Sequence, residues 1–300
     1  MSKPRIIVFG YHDVGYECLN VLLENNANVV AVFTHEDNPK ETIWFKSVAH
    51  LAQQHHIPTY FPTDPNEASV IETIKTLQPD IIFSFYYRHM IATTILELPR
   101  LGAFNMHGSL LPKYRGRVPI NWTIIHGEKQ TGATLHHMVK RPDAGDIVDQ
   151  QAVTIGAIDT AQQVFRKVTQ AAQAVLARQL HAIEQGTAPR MAQDEKAASY
   201  FSGRQAEDGR IQWNNSARAI FNLIRAVTKP YPGAFTEIDS HKLIIWWATA
   251  HDTPVQAKPG EIIGLHPLTI ATGSGSVEIA DMEWQSTTTS PPTLDKGQVI

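Results

Sequence analysis

Asn105 and His107 stand two residues apart at the end of an apolar run, in the stretch GAFNMHGSLLPKYRG from Gly102 to Gly116. If that run is a β-strand, period-two alternation puts both side chains on one side, where they can act on one atom. An asparagine amide offers N–H to a developing oxyanion, and a histidine takes or relays a proton near neutral pH without a metal. A carboxylate beside the imidazole would fix its tautomer, and Asp143 in the turn KRPDAG is the candidate. An Asn-x-His pair alone is common, and a lone histidine at a strand end is more often structural than catalytic. The chemistry therefore depends on what surrounds the pair and on Asp143 meeting it in space.

The elements that must position these residues are legible as runs. Arg5–Gly10, Asn28–His35, Ile57–Phe61, Pro79–Tyr87 and Gly102–His107 read as short buried strands, with helical stretches such as YECLNVLLENN and SVAHLAQQHH between them. Continuous β-branched runs alternating with helices predict a parallel sheet covered on both faces. Ligands of such sheets bind at the carboxyl ends of the strands, where Asn105 and His107 lie. Thr131–Val139 and Gly145–Ile155 predict two further strands, a hairpin around KRPDAG. After Asp159 or Thr160, either able to cap, apolar residues recur at helical spacing from Ala161 to Ile183 and stop before Gly186.

Beyond about Arg204 the texture changes to short β-runs separated by Gly, Pro, Asp and Ser turns. The expected fold is α/β: a Rossmann-like, mostly parallel sheet with helices on both faces over 1–204, followed by a small C-terminal OB-like β-barrel domain over 205–300. The stretch STTTSPPTLDKGQ from Ser286 to Gln298 reads as an extended or disordered end.

Composition narrows the function. A net charge of −3 predicts no broad attraction to a polyanion, and residues 205–300 carry seven Lys and Arg against ten Asp and Glu, 7 − 10 = −3. A barrel that grips RNA is normally basic. The one cysteine, Cys18, cannot form an internal disulfide, and no apolar run reaches signal-peptide or membrane-span length. These features predict a cytoplasmic protein with neither nucleic-acid nor membrane partners. Adjacent His55/His56 and His136/His137 lack the spacing of a closed metal site, so no metal is expected. GYHDVG after the first strand is not GxGxxG, which argues against NAD.

The string HGSLLPKYRG, then RVPINW, then DAGDIV is long and specific. It resembles the 10-formyltetrahydrofolate-dependent formyltransferase family, and the likeness extends over essentially the whole chain. The resemblance implies that Asn105 polarises the formyl oxygen, His107 handles the proton and Asp143 pairs with His107. It also implies a co-substrate pocket for 10-formyltetrahydrofolate, with His89, Met90 and Ile91 of FSFYYRHMI against the pterin. Arg117 and the loop Val139, Lys140, Arg141, Pro142 and Asp143 would line the same pocket.

Within the family, FGYHDVG, VFTHEDNP, FSFYYRHMI and HHMVKRPDAGDIV are most similar to the UDP-4-amino-4-deoxy-L-arabinose formyltransferases of lipid A modification and polymyxin resistance. The resemblance thus implies a nucleotide-linked amino sugar as acceptor, and leaves open a free-standing enzyme or a domain fused to or associated with a decarboxylase domain outside these 300 residues. Other acceptors left open are a dTDP- or GDP-linked amino sugar and methionyl-tRNA; a non-catalytic folate- or nucleotide-binding module is the rival of another class. Methionyl-tRNA enzymes usually carry a basic loop after the second strand, whereas here that loop is THEDNPKETIWFKSVAH. Its Trp44 and Phe45 are readable as a stacking surface for a base or sugar, or as a local packing cluster. Lys113 and Arg115 are readable as solvated loop charges or as phosphate contacts, and Tyr114 and Gly116 as turn residues.

Overall fold

In the computed structural model, residues 3–39, 41–285 and 291–300 are described. The first five residues of the expected extended tail, 286–290, lie outside them.

The N-terminal half alternates strand and helix: β1 (Arg5–Gly10), α1 (His12–Glu24), β2 (Asn28–Phe33), α2 (Val48–Gln54), β3 (Thr59–Tyr60), α3 (Ala68–Leu77), β4 (Ile81–Phe85), α4 (Thr93–Leu96) and β5 (Gly102–His107). Then come β6 (Arg115–Gly116), α5 (Pro119–Ile125), β7 (Gln130–His137), β8 (Ile147–Thr154), α6 (Ala161–Glu184) and β9 (Tyr200–Phe201). Seven strands form one sheet in the order β3-β2-β1-β4-β5-β7-β8. Pairing is parallel from β3 to β5, and β7 runs antiparallel to β5.

Burial explains why these runs are strands. Ile7 and Phe9 share a core cluster with Ile74 of α3 and Ile95 of α4, while the alternate residues Ile6 and Val8 are equally buried and point to the other face. Both faces are covered, as continuous apolar runs require. Phe9 stacks on Phe33 at 4.8 Å, and Phe33 on Tyr60 at 4.9 Å, so aromatic rings tie β1, β2 and β3 together across the sheet. β4 is shorter than the apolar run Pro79–Tyr87 suggests. Tyr86 takes a left-handed conformation, φ 57°, which ends the strand and turns the chain at its carboxyl end.

In α6 all nine residues of the predicted stripe are buried: Ala161, Val164, Phe165, Val168, Ala172, Val175, Leu176, Leu180 and Ile183. Of the two capping candidates, Thr160 does the work. Its Oγ1 accepts from Gln163 N at 3.3 Å and its own N–H donates to Gln163 Oε1 at 2.8 Å, a reciprocal box. Asp159 accepts from Gly156 N instead, at 2.6 Å. At the other end Gly186, φ 70°, closes the helix, with Thr187 N reaching back to Ala182 O at 2.8 Å.

The C-terminal segment contributes α7 (Ala217–Val227) and strands β10 (Ala234–Ile238), β11 (His241–His251), β12 (Ile262–Leu265), β13 (Leu268–Ala271) and β14 (Ser276–Trp284). They form an antiparallel sheet in the order β10-β11-β14-β13-β12, consistent with a small barrel-like domain. Before α7, Arg210 makes an isolated bridge to Phe235.

The chain divides into two compact units, one made of Met1–Pro119, Thr131–Val153 and Arg166–Phe201, the other of Ile120–Gln130, Thr154–Phe165 and Ser202–Ile300. Two short segments that precede Ser202 in the chain thus join the second unit. Buried polar contacts show why: Asn121 Nδ2 donates to Ala226 O at 2.7 Å, and the buried Arg225 donates through Nη1 to Asp159 O at 3.0 Å and Gly156 O at 3.3 Å. Among the described residues no helix is long and apolar enough to cross a membrane.

Candidate active site

The site is built at the carboxyl end of β5. Asn105 and His107 are both on this strand, and His107 is its last residue. β7 places His136 directly opposite Asn105 and Thr134 opposite His107. The loop between β7 and β8 brings Asp143 back to the same point, in a left-handed conformation with φ 54°. Asp143 Oδ1 stands 3.5 Å from each of three nitrogens: Asn105 Nδ2, His107 Nδ1 and His136 Nε2. The three residues singled out in the sequence therefore do converge, and a fourth, His136, joins them.

His136 has a defined tautomer. Its Nδ1 lies 2.9 Å from the carbonyl oxygen of His137, which can only accept, so in the neutral ring Nδ1 carries the hydrogen. Nε2 then has a lone pair for Asn105 Nδ2 at 3.1 Å. This turns the amide nitrogen of Asn105 inward, one N–H on His136 and the other loosely towards Asp143. In the sequence His136 drew attention only as half of an adjacent pair unsuited to a metal. The signal that could have found it is its place on the strand that must neighbour the Asn-x-His strand.

His107 is buried, and its Nε2 lies 2.8 Å from the carbonyl of Tyr114. That carbonyl is presented by a backbone bent the wrong way for most residues: Tyr114 has φ 60° and Gly116 φ 98°. At Gly116 a Cβ would run into Phe201 O, so glycine is required both for conformation and for the approach of β9. Gly108 has a different reason, since a Cβ there would meet the Tyr86 hydroxyl at the end of β4. Ser109 Oγ donates to Lys113 O at 2.7 Å and closes the turn. Tyr114 is a turn residue, as expected, whereas Gly116 belongs to the short strand β6 and pairs with Phe201.

Asp143 is anchored by its other oxygen, with Gly116 N donating to Oδ2 at 2.8 Å. Burial alone would raise its carboxyl pKa. When the His107 and His136 rings are protonated, their charge beside the carboxylate, together with the Gly116 N–H, outweighs burial and holds it well below the usual carboxylate range. The site is thus a fixed anion with three side-chain nitrogens around one of its oxygens, each at the loose distance of 3.5 Å.

The predicted co-substrate residues divide. His89 and Met90 are exposed after β4, Met90 by 60 %, with the His89 ring 4.9 Å from that of His35. Met90 O accepts from Asn66 Nδ2 at 2.9 Å, which fixes this segment. Ile91 differs from them in exposure. Its side chain is buried in the core cluster with Ile74, Ile82 and Ile95, so only its backbone is left to face a ligand. Val139, Lys140, Arg141 and Pro142 are exposed on the loop that carries Asp143, and the exposed Arg117 donates its backbone N–H to Phe201 O at 2.9 Å.

Arg115 is neither a solvated charge nor a phosphate contact. It is 0 % exposed, and its guanidinium is committed to Gln193, Glu195 and Tyr200. Lys113 is exposed. Trp44 and Phe45 both lie on His12, Phe45 stacked at 3.9 Å and Trp44 edge-on at 4.5 Å, with Tyr11 5.1 Å from Phe45. That is a packing cluster. Among the described residues no group of three or more His, Cys, Asp or Glu could hold a metal ion.

Comparison with known proteins agrees with the geometry. Residues 4–180 match the family model described as formyl transferase, and residues 204–293 the one described as formyl transferase, C-terminal domain. Similar solved structures include an N-formyltransferase from Helicobacter canadensis in complex with folinic acid and dTDP-3-aminofucose, with 23 % identity and TM-score 0.75, covering 94 % of this chain and 100 % of that one. WlaRD, a sugar 3N-formyl transferase studied with dTDP and 5-N-formyl-THF, is 20 % identical with TM-score 0.71, covering 94 % and 98 %. The methionyl-tRNA formyltransferase from Clostridium thermocellum is 17 % identical with TM-score 0.60, covering 95 % and 100 %. At these identities the structures share the fold, while the match of the N-terminal model over well more than half of the sequence shows that the chain belongs to the formyl transferase family.

Proposed function

We propose that this formyltransferase moves a formyl group from 10-formyltetrahydrofolate to the amine of a nucleotide-linked amino sugar, acting in the cytoplasm as a soluble enzyme. The observation that carries the reading is the convergence of Asn105, His107 and Asp143 at the end of β5. The finer assignment is UDP-4-amino-4-deoxy-L-arabinose, the acceptor of the ArnA formyltransferase domain, which the loops FGYHDVG, VFTHEDNP and HHMVKRPDAGDIV resemble. We assign the chemistry to residues 1–204 and an accessory role to 205–300.

The neutral amine attacks the formyl carbon. As the new C–N bond forms, the carbonyl electron pair moves to oxygen, which accepts the N–H of Asn105 that His136 does not hold. The Nε2–H of His107 stays on the Tyr114 carbonyl and fixes the ring. Nδ1, facing Asp143 across 3.5 Å, is the nitrogen that exchanges a proton with the substrate. It takes part in moving the amine proton to the leaving folate nitrogen as the old C–N bond breaks. Asp143 remains ionised and steadies the imidazolium. His89, Met90, the backbone at Ile91, Arg117 and the loop Val139 to Pro142 are assigned to the folate.

The similarity to a methionyl-tRNA formyltransferase keeps a tRNA acceptor as the second reading. Against it stand the −3 charge of residues 205–300 and the mixed-charge loop after β2, neither of which attracts phosphates. A panel of UDP-, dTDP- and GDP-linked amino sugars and methionyl-tRNA, each incubated with 10-formyltetrahydrofolate and read by mass spectrometry, decides between them. Gain of one formyl group on UDP-4-amino-4-deoxy-L-arabinose alone supports the finer assignment; gain on another nucleotide sugar replaces it; gain on tRNA overturns the sugar reading.

A further inference from the structure

Gln193 lies far from Asp143 in sequence and appears in no motif. Its side-chain amide nevertheless spends both hydrogens on the loop that carries Asp143: Nε2 donates to Asp143 O at 2.8 Å and to Gly145 O at 2.7 Å. Its oxygen faces the other way and accepts from Arg115, at 3.1 Å from Nε and 2.7 Å from Nη2. The orientation of the amide is therefore fixed by its partners on both sides. Arg115 in turn is completely buried, forks onto Glu195 at 2.7 and 3.2 Å and meets the Tyr200 hydroxyl at 2.8 Å. The residue that follows Arg115 is Gly116, whose N–H holds Asp143 Oδ2.

Asp143 is thus gripped twice from one short strand, at its carboxylate through Gly116 and at its backbone through Arg115 and Gln193. The grip falls on a residue with φ 54°, a conformation that costs a non-glycine residue energy and persists only where its surroundings impose it. We propose that Arg115 and Gln193 are positioning residues that hold the Asp143 loop so that its carboxylate stays against His107. This rests on the reading of Asp143 as the partner of His107 given above. The bland alternative is that Arg115 merely staples the segment 193–201 to the sheet.

The two differ in what happens at His107. In the full chain labelled with ¹⁵N-histidine, the ring N–H resonance of His107, assigned by its loss in His107→Gln, is compared in wild type, Gln193→Met, Asp143→Asn and the double variant. The proposal expects Gln193→Met to move the resonance in the wild-type background and to leave it unmoved once Asp143→Asn is present. Gln193→Glu keeps the partner of Arg115 but loses both donors to the loop, and is expected to move the resonance in the same way even if Gln193→Met folds poorly. If Asp143→Asn moves the resonance but the Gln193 variants leave it in place, or move it equally in both backgrounds, the positioning role is wrong and the site reading stands. If Asp143→Asn itself leaves it in place, the pairing of Asp143 with His107 falls, and the positioning role with it.

Discussion

His136 Nε2 lies 3.1 Å from Asn105 Nδ2, across the antiparallel pair that sets the two residues opposite each other on β7 and β5. Because the Nδ1 of His136 is spent on a backbone carbonyl, Nε2 is an acceptor, and the Asn105 amide is held with its nitrogen towards the site interior. An oxyanion donor needs its N–H groups aimed before the charge develops. His136→Ala should therefore lower kcat by roughly 10-fold, about the worth of one hydrogen bond, with KM for both substrates little changed. Steady-state kinetics checks this; a change confined to KM would mean that His136 contacts substrate instead.

Loss of the donor itself should cost more. Asn105→Ala and His107→Ala are each expected to reduce kcat by about 100- to 1000-fold while leaving the circular dichroism spectrum unchanged. Their double variant should lose little beyond the worse single one, because the two act on one transition state.

Gly116 joins stability to the site. With φ 98° and Phe201 O in the path of a Cβ, Gly116→Ala must shift the backbone that pairs β6 with β9. A loss of about 1–3 kcal/mol is expected by thermal or denaturant unfolding, together with reduced activity as the Gly116 N–H leaves Asp143. A variant as stable and active as wild type would contradict the packing described.

Two histidines near the ends of β1 and β2 make stability depend on pH. Burial lowers His12 to about 3, helped by the charge of Arg88 and opposed by Glu41, and burial followed by His89 and Arg88 lowers His35 to about 4. Both are neutral in the fold, while in the unfolded chain they titrate near the ordinary 6.5. Below that value the unfolded chain binds more protons, so their stabilisation is complete above about pH 6.5 and is lost progressively as pH falls towards about 4. His35→Gln should flatten the dependence of Tm on pH across this window. Parallel curves for variant and wild type would show that His35 is not responsible.

Much of this was legible in the sequence, for reasons that differ by element. The parallel strands and α6 were readable because burial writes itself as uninterrupted or 3.6-spaced apolar runs, and all nine predicted residues of α6 are buried. Asn105, His107 and Asp143 were readable as types at the end of a strand and in a turn. His136, Gln193 and the buried Arg115 were not, because their roles arise from strand register and from contacts between segments distant in the chain. The burial of the Ile91 side chain was not legible for a related reason: its neighbours His89 and Met90 are exposed, but the chain turns it into the core.

Transfer of a formyl group from folate to a sugar amine by the residues at the end of β5 can be followed directly. The direct measurement follows a ¹³C-labelled formyl group from 10-formyltetrahydrofolate by NMR, in the presence of UDP-4-amino-4-deoxy-L-arabinose and the dTDP- and GDP-linked amino sugars. The account predicts that wild type builds a labelled formamide on the sugar nitrogen of a nucleotide amino sugar and that His107→Ala builds it at least about 100-fold more slowly. No labelled formamide on any of these acceptors, or equal rates for wild type and His107→Ala, would contradict it.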